Sequence, residues 1–214
     1  MKNEFVWGVS SSAFQIEGAT SEGGRGLSTW DVYTRTPGKV LNGDTADIAC
    51  DHYPRYREDV KLMAELGVTG YRFSIAWPRI VPDGVGAPNP AGIAFYSDLI
   101  DTLLEYGIQP YPTLYHWDLP VINQFVADGW LSRQTAEAFA RYAGICFEAF
   151  GDRVRHWITV NESWCSAVIG YGLGAFPPGR RDSEQPYLAA HNLLLAHAMA
   201  ARTFREGGFD GRIG

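Results

Sequence analysis

The stretch NPAGIAFYSDLIDTLLEYGIQPYPTLYHWD, residues 89–118, decides how the rest of the chain is read. Asn89 is a candidate helix N-cap, because its side-chain oxygen can accept from a free amide of the first turn. Pro90 comes next at the first helical position, where a missing N–H removes nothing the helix uses. Ile93, Tyr96, Ile100 and Leu103 recur at helical spacing, and Gly107 ends the helix. Ile108 to Tyr115 reads as a strand, and His116-Trp117-Asp118 places polar and aromatic groups just past its end.

The same strand and helix order repeats in both directions. Phe5 to Phe14 is a strand candidate, separated from its helix by a long Gly- and Asp-containing stretch from Gly18 to Asp47. That helix runs from about Tyr53 to Leu66 with Tyr56, Val60 and Met63 on one face, and Gly67 caps it. Val68 to Ile75 is the second strand. After Ile108 to Tyr115, a helix beginning past Ser132 carries Phe139, Tyr142, Cys146 and Phe150 inward and stops at Gly151. Val154 to Val160 is the fourth strand. The last helix spans about Pro186 to Arg205 with Leu188, Leu195, Ala198 and Met199 facing inward, and Arg212-Ile213-Gly214 opens a fifth strand.

Alternating βα units with apolar strands argue for an α/β fold, a parallel sheet covered by helices. No Gly-rich phosphate loop succeeds any strand, which weakens the doubly wound dinucleotide-binding version. The strands run instead into Gln15, then Arg72 and Ser74, then His116-Trp117-Asp118, then Asn161-Glu162. One polar cluster per strand end suits a (β/α)8 TIM barrel, whose sites are assembled at the carboxyl ends of several strands. Four units and the start of a fifth strand occupy all 214 residues. Eight such units would need roughly 400, against about 250 for a typical barrel. The expectation is one domain, residues 1–214, forming an N-terminal half-barrel: a fragment or one part of a split protein, with an unpaired sheet edge and low stability alone.

Composition narrows the function. A net charge of −6 with no basic run gives no attraction to nucleic acid or to an anionic membrane surface. Cys50, Cys146 and Cys165 are odd in number and widely spaced, so buried free thiols are expected in place of a disulfide framework or zinc site. Met1-Lys2-Asn3-Glu4 leads into a strand-like run without a signal-peptide core, and no apolar stretch reaches transmembrane length, so the expected setting is cytoplasmic. Seven Trp and eleven Tyr are compatible with sugar-stacking walls and equally with core packing. Asn161-Glu162 closes the apolar run His156-Trp157-Ile158, and an amide beside a carboxylic acid at a strand end is more often chemistry than stability.

Five segments, in order, resemble the family 1 glycoside hydrolases, the β-glucosidase family. They are Phe5-Val6-Trp7-Gly8 with Ser11 to Gly18, Tyr71 to Arg79, Leu114 to Pro120, Thr159-Val160-Asn161-Glu162, and His191 to Ala198. Ser163 stands where that family usually has proline. The resemblance implies a retaining β-glycosidase acting on terminal β-linked glucosyl or related residues, with Glu162 as general acid/base. Such chemistry needs two carboxyls, and the donor must stay protonated through apolar surroundings or a nearby negative charge. Asn161 would hold the 2-hydroxyl, and Gln15 and His116 the far side of the glycone. Trp117 would line the glycone pocket and Trp164 the aglycone wall, plain packing being the other reading of both. Arg72 resembles the arginine that orients the nucleophilic carboxylate, a structural ion pair being its alternative. No segment matches the family's nucleophile, and neither Asp118 nor Glu17 is given that role, so the chain by itself is expected to be inactive. No metal or organic cofactor is implied. Expected partners are a β-glucoside or oligosaccharide and a complementary C-terminal half-barrel, or a second copy through the open edges. A 6-phospho-β-glycosidase, a non-catalytic carbohydrate-binding module and a purely structural half-barrel remain the alternatives.

Overall fold

Apolar strands bury both faces only if helices cover them, and the chain supplies those helices between successive strands. The computed structural model describes residues 5–214, so Met1 to Glu4 lie outside the described residues. Strands β1 (Gly8–Ser10), β2 (Gly70–Ser74), β3 (Gln109–Tyr115), β4 (His156–Val160) and β5 (Arg212–Ile213) lie side by side in chain order, every pairing parallel. The helices are α1 (Ala13–Ile16), α2 (Thr29–Thr34), α3 (His52–Glu65), α4 (Trp77–Ile80), α5 (Pro90–Glu105), α6 (Val121–Ala127), α7 (Arg133–Phe150) and α8 (Gln185–Glu206). Helices α3, α5, α7 and α8 make the four crossovers. The architecture is four βα units of a (β/α)8 barrel with the start of strand five, as the sequence predicts.

Capping residues set the helix boundaries. Asn89 accepts from the Ala91 amide at 3.2 Å, and Ser132 accepts from the Gln134 amide at 3.2 Å. Gly67 and Gly107 take φ of 74° and 71° after the last turns of α3 and α5, a conformation costly for any side chain. The expected inward faces of α5 and α7 are buried, including Tyr96, Ile100, Leu103, Phe139, Tyr142, Cys146 and Phe150. Trp77 stacks on Tyr142 with ring centroids 5.1 Å apart. The Tyr142 hydroxyl lies 2.9 Å from the Ile75 carbonyl and 3.0 Å from that of Leu114, tying α7 to the carboxyl ends of β2 and β3.

Several expectations need correction. The predicted strand Phe5 to Phe14 pairs only over Gly8–Ser10, because the Ser74 hydroxyl takes the Ala13 amide at 2.7 Å and the chain turns into α1. Helix α8 buries Ala189, Leu193, Ala196, Ala200 and Phe204, while Leu188 and Ala198 are exposed and Leu195 and Met199 half-buried. Small alanines let α8 lie close against α7, so the largest apolar side chains do not mark the buried stripe. Cys146 is buried as expected, but Cys50 is exposed and Cys165 half-buried.

Candidate active site

The carboxyl ends of β2, β3 and β4 meet at one buried amide. Asn161 succeeds β4, and its backbone amide bonds the Tyr115 carbonyl of β3 at 2.9 Å. Arg72 of β2 donates through Nη2 to Asn161 Oδ1 at 2.5 Å and through Nε to Thr113 Oγ1 at 3.2 Å. Because Oδ1 accepts from a guanidinium, the amide's Nδ2 faces His116 Nε2, 3.2 Å away, as a donor. His116 is thereby an acceptor at Nε2 and carries its proton on Nδ1, which is buried without a partner among the described residues. Burial lowers the His116 pKa to about 4, with the Arg72 guanidinium acting in the same direction and Glu162 opposing both. The imidazole is therefore neutral near pH 7. The Trp117 indole donates to the Asn161 carbonyl at 3.0 Å, which brings the fourth member into the cluster.

Glu162, next in the chain, faces the opposite environment. It is exposed, so the apolar surroundings its proposed role calls for are not provided by the described residues. Its φ of 44° lies in the left-handed region, as does the 73° of Trp117, and strained non-glycine backbone of this kind clusters at functional sites. Immediately afterwards the chain forms a π-helix, Cys165–Leu173, another feature frequent at such sites. Cys165 Sγ lies 3.5 Å from Glu162 Oε2, and burial together with that carboxylate raises the thiol pKa. Trp164 is 60% exposed beside the acid. Gln15, also exposed, accepts from Ser12 Oγ at 2.8 Å near the end of α1. The structure thus joins Arg72, His116, Trp117 and Asn161 into one network, with exposed Glu162 next to Asn161 in the chain and exposed Trp164 two residues further. Arg72 bonds the amide here, whereas the family resemblance implies that it orients a carboxylate.

Beneath this layer is a set of buried charges that the sequence did not reveal. Arg79, 0% exposed, donates through Nε to Glu17 Oε2 at 3.1 Å, and Tyr96 donates to Glu17 Oε1 at 2.5 Å. Arg79 Nη2 is 3.0 Å from the same Oε2 but badly aligned for a bond. Arg25 pairs with Asp31 at 2.9 Å, and Asp31 completes a capping box with Ser28 at the start of α2. Asp118 is 1% exposed and neither carboxylate oxygen has a hydrogen-bond partner among the described residues. Burial pushes its pKa up to about 7; Arg25 and the residue's own backbone amide partly oppose that, and Glu17 and Asp31 add to it. The aromatic side of the site also extends further than foreseen: Phe176 lies 5.3 Å from Trp117 and 5.1 Å from Trp30 between ring centroids.

Known proteins resemble this chain along its whole length. The model of glycosyl hydrolase family 1 matches residues 1–214. Beta-glucosidase A of Thermotoga maritima is 51% identical over 210 residues, covering 98% of this chain and 47% of the relative. Beta-glucosidase 4 of Oryza sativa subsp. japonica is 55% identical over 205 residues, covering 94% and 42% respectively. The solved structure of the Thermotoga maritima β-glucosidase in complex with glucoimidazole superposes with a TM-score of 0.97 at 51% identity, over 99% of this chain and 48% of that one. The chain spans about half the length of the curated relatives it matches.

Proposed function

The chain belongs to glycosyl hydrolase family 1, and from that premise we propose that it carries the proton donor and most glycone-holding groups of a retaining β-glycosidase of β-glucosidase type. The observation that carries this reading is the Asn161 amide, held in one orientation by Arg72, with the exposed carboxyl of Glu162 on the adjacent residue. A sugar set against the cluster would find the Asn161 side chain near its 2-hydroxyl, and hydrogen bonds there strengthen as the ring becomes oxocarbenium-like. Half-buried His116, bonded to the Asn161 amide through Nε2, would lie against the far side of the glycone. Gln15 would reach the glycone from the end of α1, Trp117 would stack on its face, and exposed Trp164 would flank the departing group. Glu162 delivers its proton to the glycosidic oxygen as the bond breaks, then takes one back from water.

The second carboxylate is assigned outside these 214 residues. Glu17 and Asp118 both point into the buried layer, closed to a sugar. By itself the chain is expected to be silent, and the complementary half-barrel is its proposed partner. Exposed Trp7 just before β1 and Val9 within it leave apolar surface at that sheet edge for such a half to cover. Binding that half would also enclose Glu162, supplying the desolvation its role requires. A reducing, cytoplasmic setting belongs to the same proposal, in keeping with three free cysteines. No helix among the described residues is long and apolar enough to cross a membrane.

The test is a chimera in which this chain replaces the matching half of the Thermotoga maritima relative. Hydrolysis of aryl β-glucosides is expected. Glu162→Gln should lower kcat/KM for substrates with poor leaving groups by about 10²–10⁴-fold and for activated ones far less, since only the former need the proton to depart, while kcat falls for both with loss of the base that activates water. Unchanged hydrolysis of poor leaving groups by a folded chimera would refute the assignment.

A further inference from the structure

Matching charges in the buried layer leaves one acid over. Glu17 is matched by Arg79 and Asp31 by Arg25, while Asp118 has no counter-ion of its own and no hydrogen bond at either oxygen from any other of the described residues, only the approach of its own backbone amide. A carboxylate in that state is held only as the neutral acid, or by moving. Movement at Asp118 is not local. Its neighbour Trp117 sits at φ 73°, a conformation a tryptophan holds only when its surroundings fix it on both sides. On one side the indole bonds the Asn161 carbonyl; on the other the chain passes into Asp118 and then Leu119, whose carbonyl accepts from the Thr29 amide.

We propose that Asp118 is a positioning residue of the sugar site: a buried acid without a counter-ion, whose loss of a proton shifts Trp117 and loosens its bond to Asn161. The inference rests on the reading that Trp117 lines that site. The titratable groups that interact by charge with Asp118 come from several elements. They are Glu17 after α1, Arg25 in the loop beyond, Asp31 on α2, Tyr115 on β3 and Tyr142 on α7, with Arg79 of α4 behind Glu17. The two carboxylates and two guanidiniums of this set already match one another, so ionisation of Asp118 adds a net negative charge with no partner to meet it. The nearest relief is displacement toward Arg25 or toward solvent, and either drags residue 117.

The chain itself provides the test. Carboxyl carbon and indole Nε1–H resonances of Asp118 and Trp117 are tracked by NMR from about pH 5 to about pH 9, a range bracketing the buried carboxyl. Both are expected to move in one shared transition, and the Trp117 resonance of Asp118→Asn, which mimics the neutral acid, should stay at its low-pH position throughout. A Trp117 signal that is flat in the unaltered chain overturns the proposal. So does an Asp118 that titrates without Trp117, or a folded Asp118→Asn in which Trp117 still moves. If the variant does not fold, the shared or separate midpoints in the unaltered chain decide. These readings involve no hydrolysis, so they succeed or fail independently of the role given to Glu162.

Discussion

Replacing Asp118 by asparagine should make the chain more stable at pH 8 and leave the difference much smaller at pH 4. The folded carboxyl titrates at about 7 against an ordinary 3.8, a separation of about three units. At about 1.4 kcal/mol per unit this is ~4 kcal/mol, an upper bound because a real site relaxes around a new charge. The folded value lies above the unfolded one, so between about pH 4 and pH 7 the folded chain retains a proton that the unfolded chain has released. Stability is therefore fully present below that window, falls across it, and levels off above it. Asparagine brings a constant offset from its own buried amide, so the informative quantity is the slope of the difference. Denaturant midpoints for both proteins at half-unit steps of pH would measure it. A parallel loss of stability in the variant and the unaltered chain from about pH 4 to pH 8 would mean that the fold does not hold this carboxyl neutral.

Other outcomes stem from the packing. Tyr142→Phe removes the one hydroxyl serving the Ile75 and Leu114 carbonyls and should lower stability by about 1–3 kcal/mol in denaturant titration. Glu17→Gln strands a guanidinium that is 0% exposed, so a loss of about 3–5 kcal/mol is expected by the same measurement. Gly144→Ala should do the reverse: within α7 the added methyl meets only Thr203 Cγ2 at 3.4 Å, and helix propensity favours alanine by about 1 kcal/mol, seen as a higher melting temperature.

The crossover helices α3, α5, α7 and α8 and the ends of the three interior strands were legible because periodicity and caps are local signals. Asn89, Ser132, Gly67 and Gly107 each act where the sequence places them. The membership of the site was legible through its motifs, yet its wiring was not. That Arg72 bonds the Asn161 amide depends on the spacing of β2 and β4 across β3, which no local pattern encodes. The unmatched charge of Asp118 was hidden for the same reason: it is a property of five side chains drawn from residues 17 to 118. Helix α8 misled because its buried face is built from alanines, which carry little weight in a hydrophobic stripe. The positive φ of Trp117 and Glu162 left no trace in residue type, since both are side chains that ordinarily avoid it.

The order of strands in the sheet has a bearing on how the molecule comes into being. Each strand pairs with the one made just before it, so Gly8 meets Gly70, 62 positions on, and Gly70 meets Gln109, only 39 further. Closing loops of such similar length differs in entropy by only about half a kcal/mol. Among the described strands none waits for a distant partner within this sheet, so its growth can keep pace with synthesis from the ribosome, one crossover at a time. The growing front is always a bare parallel edge, so at every stage before the last the nascent sheet presents the surface that chaperones recognise and that aggregation exploits.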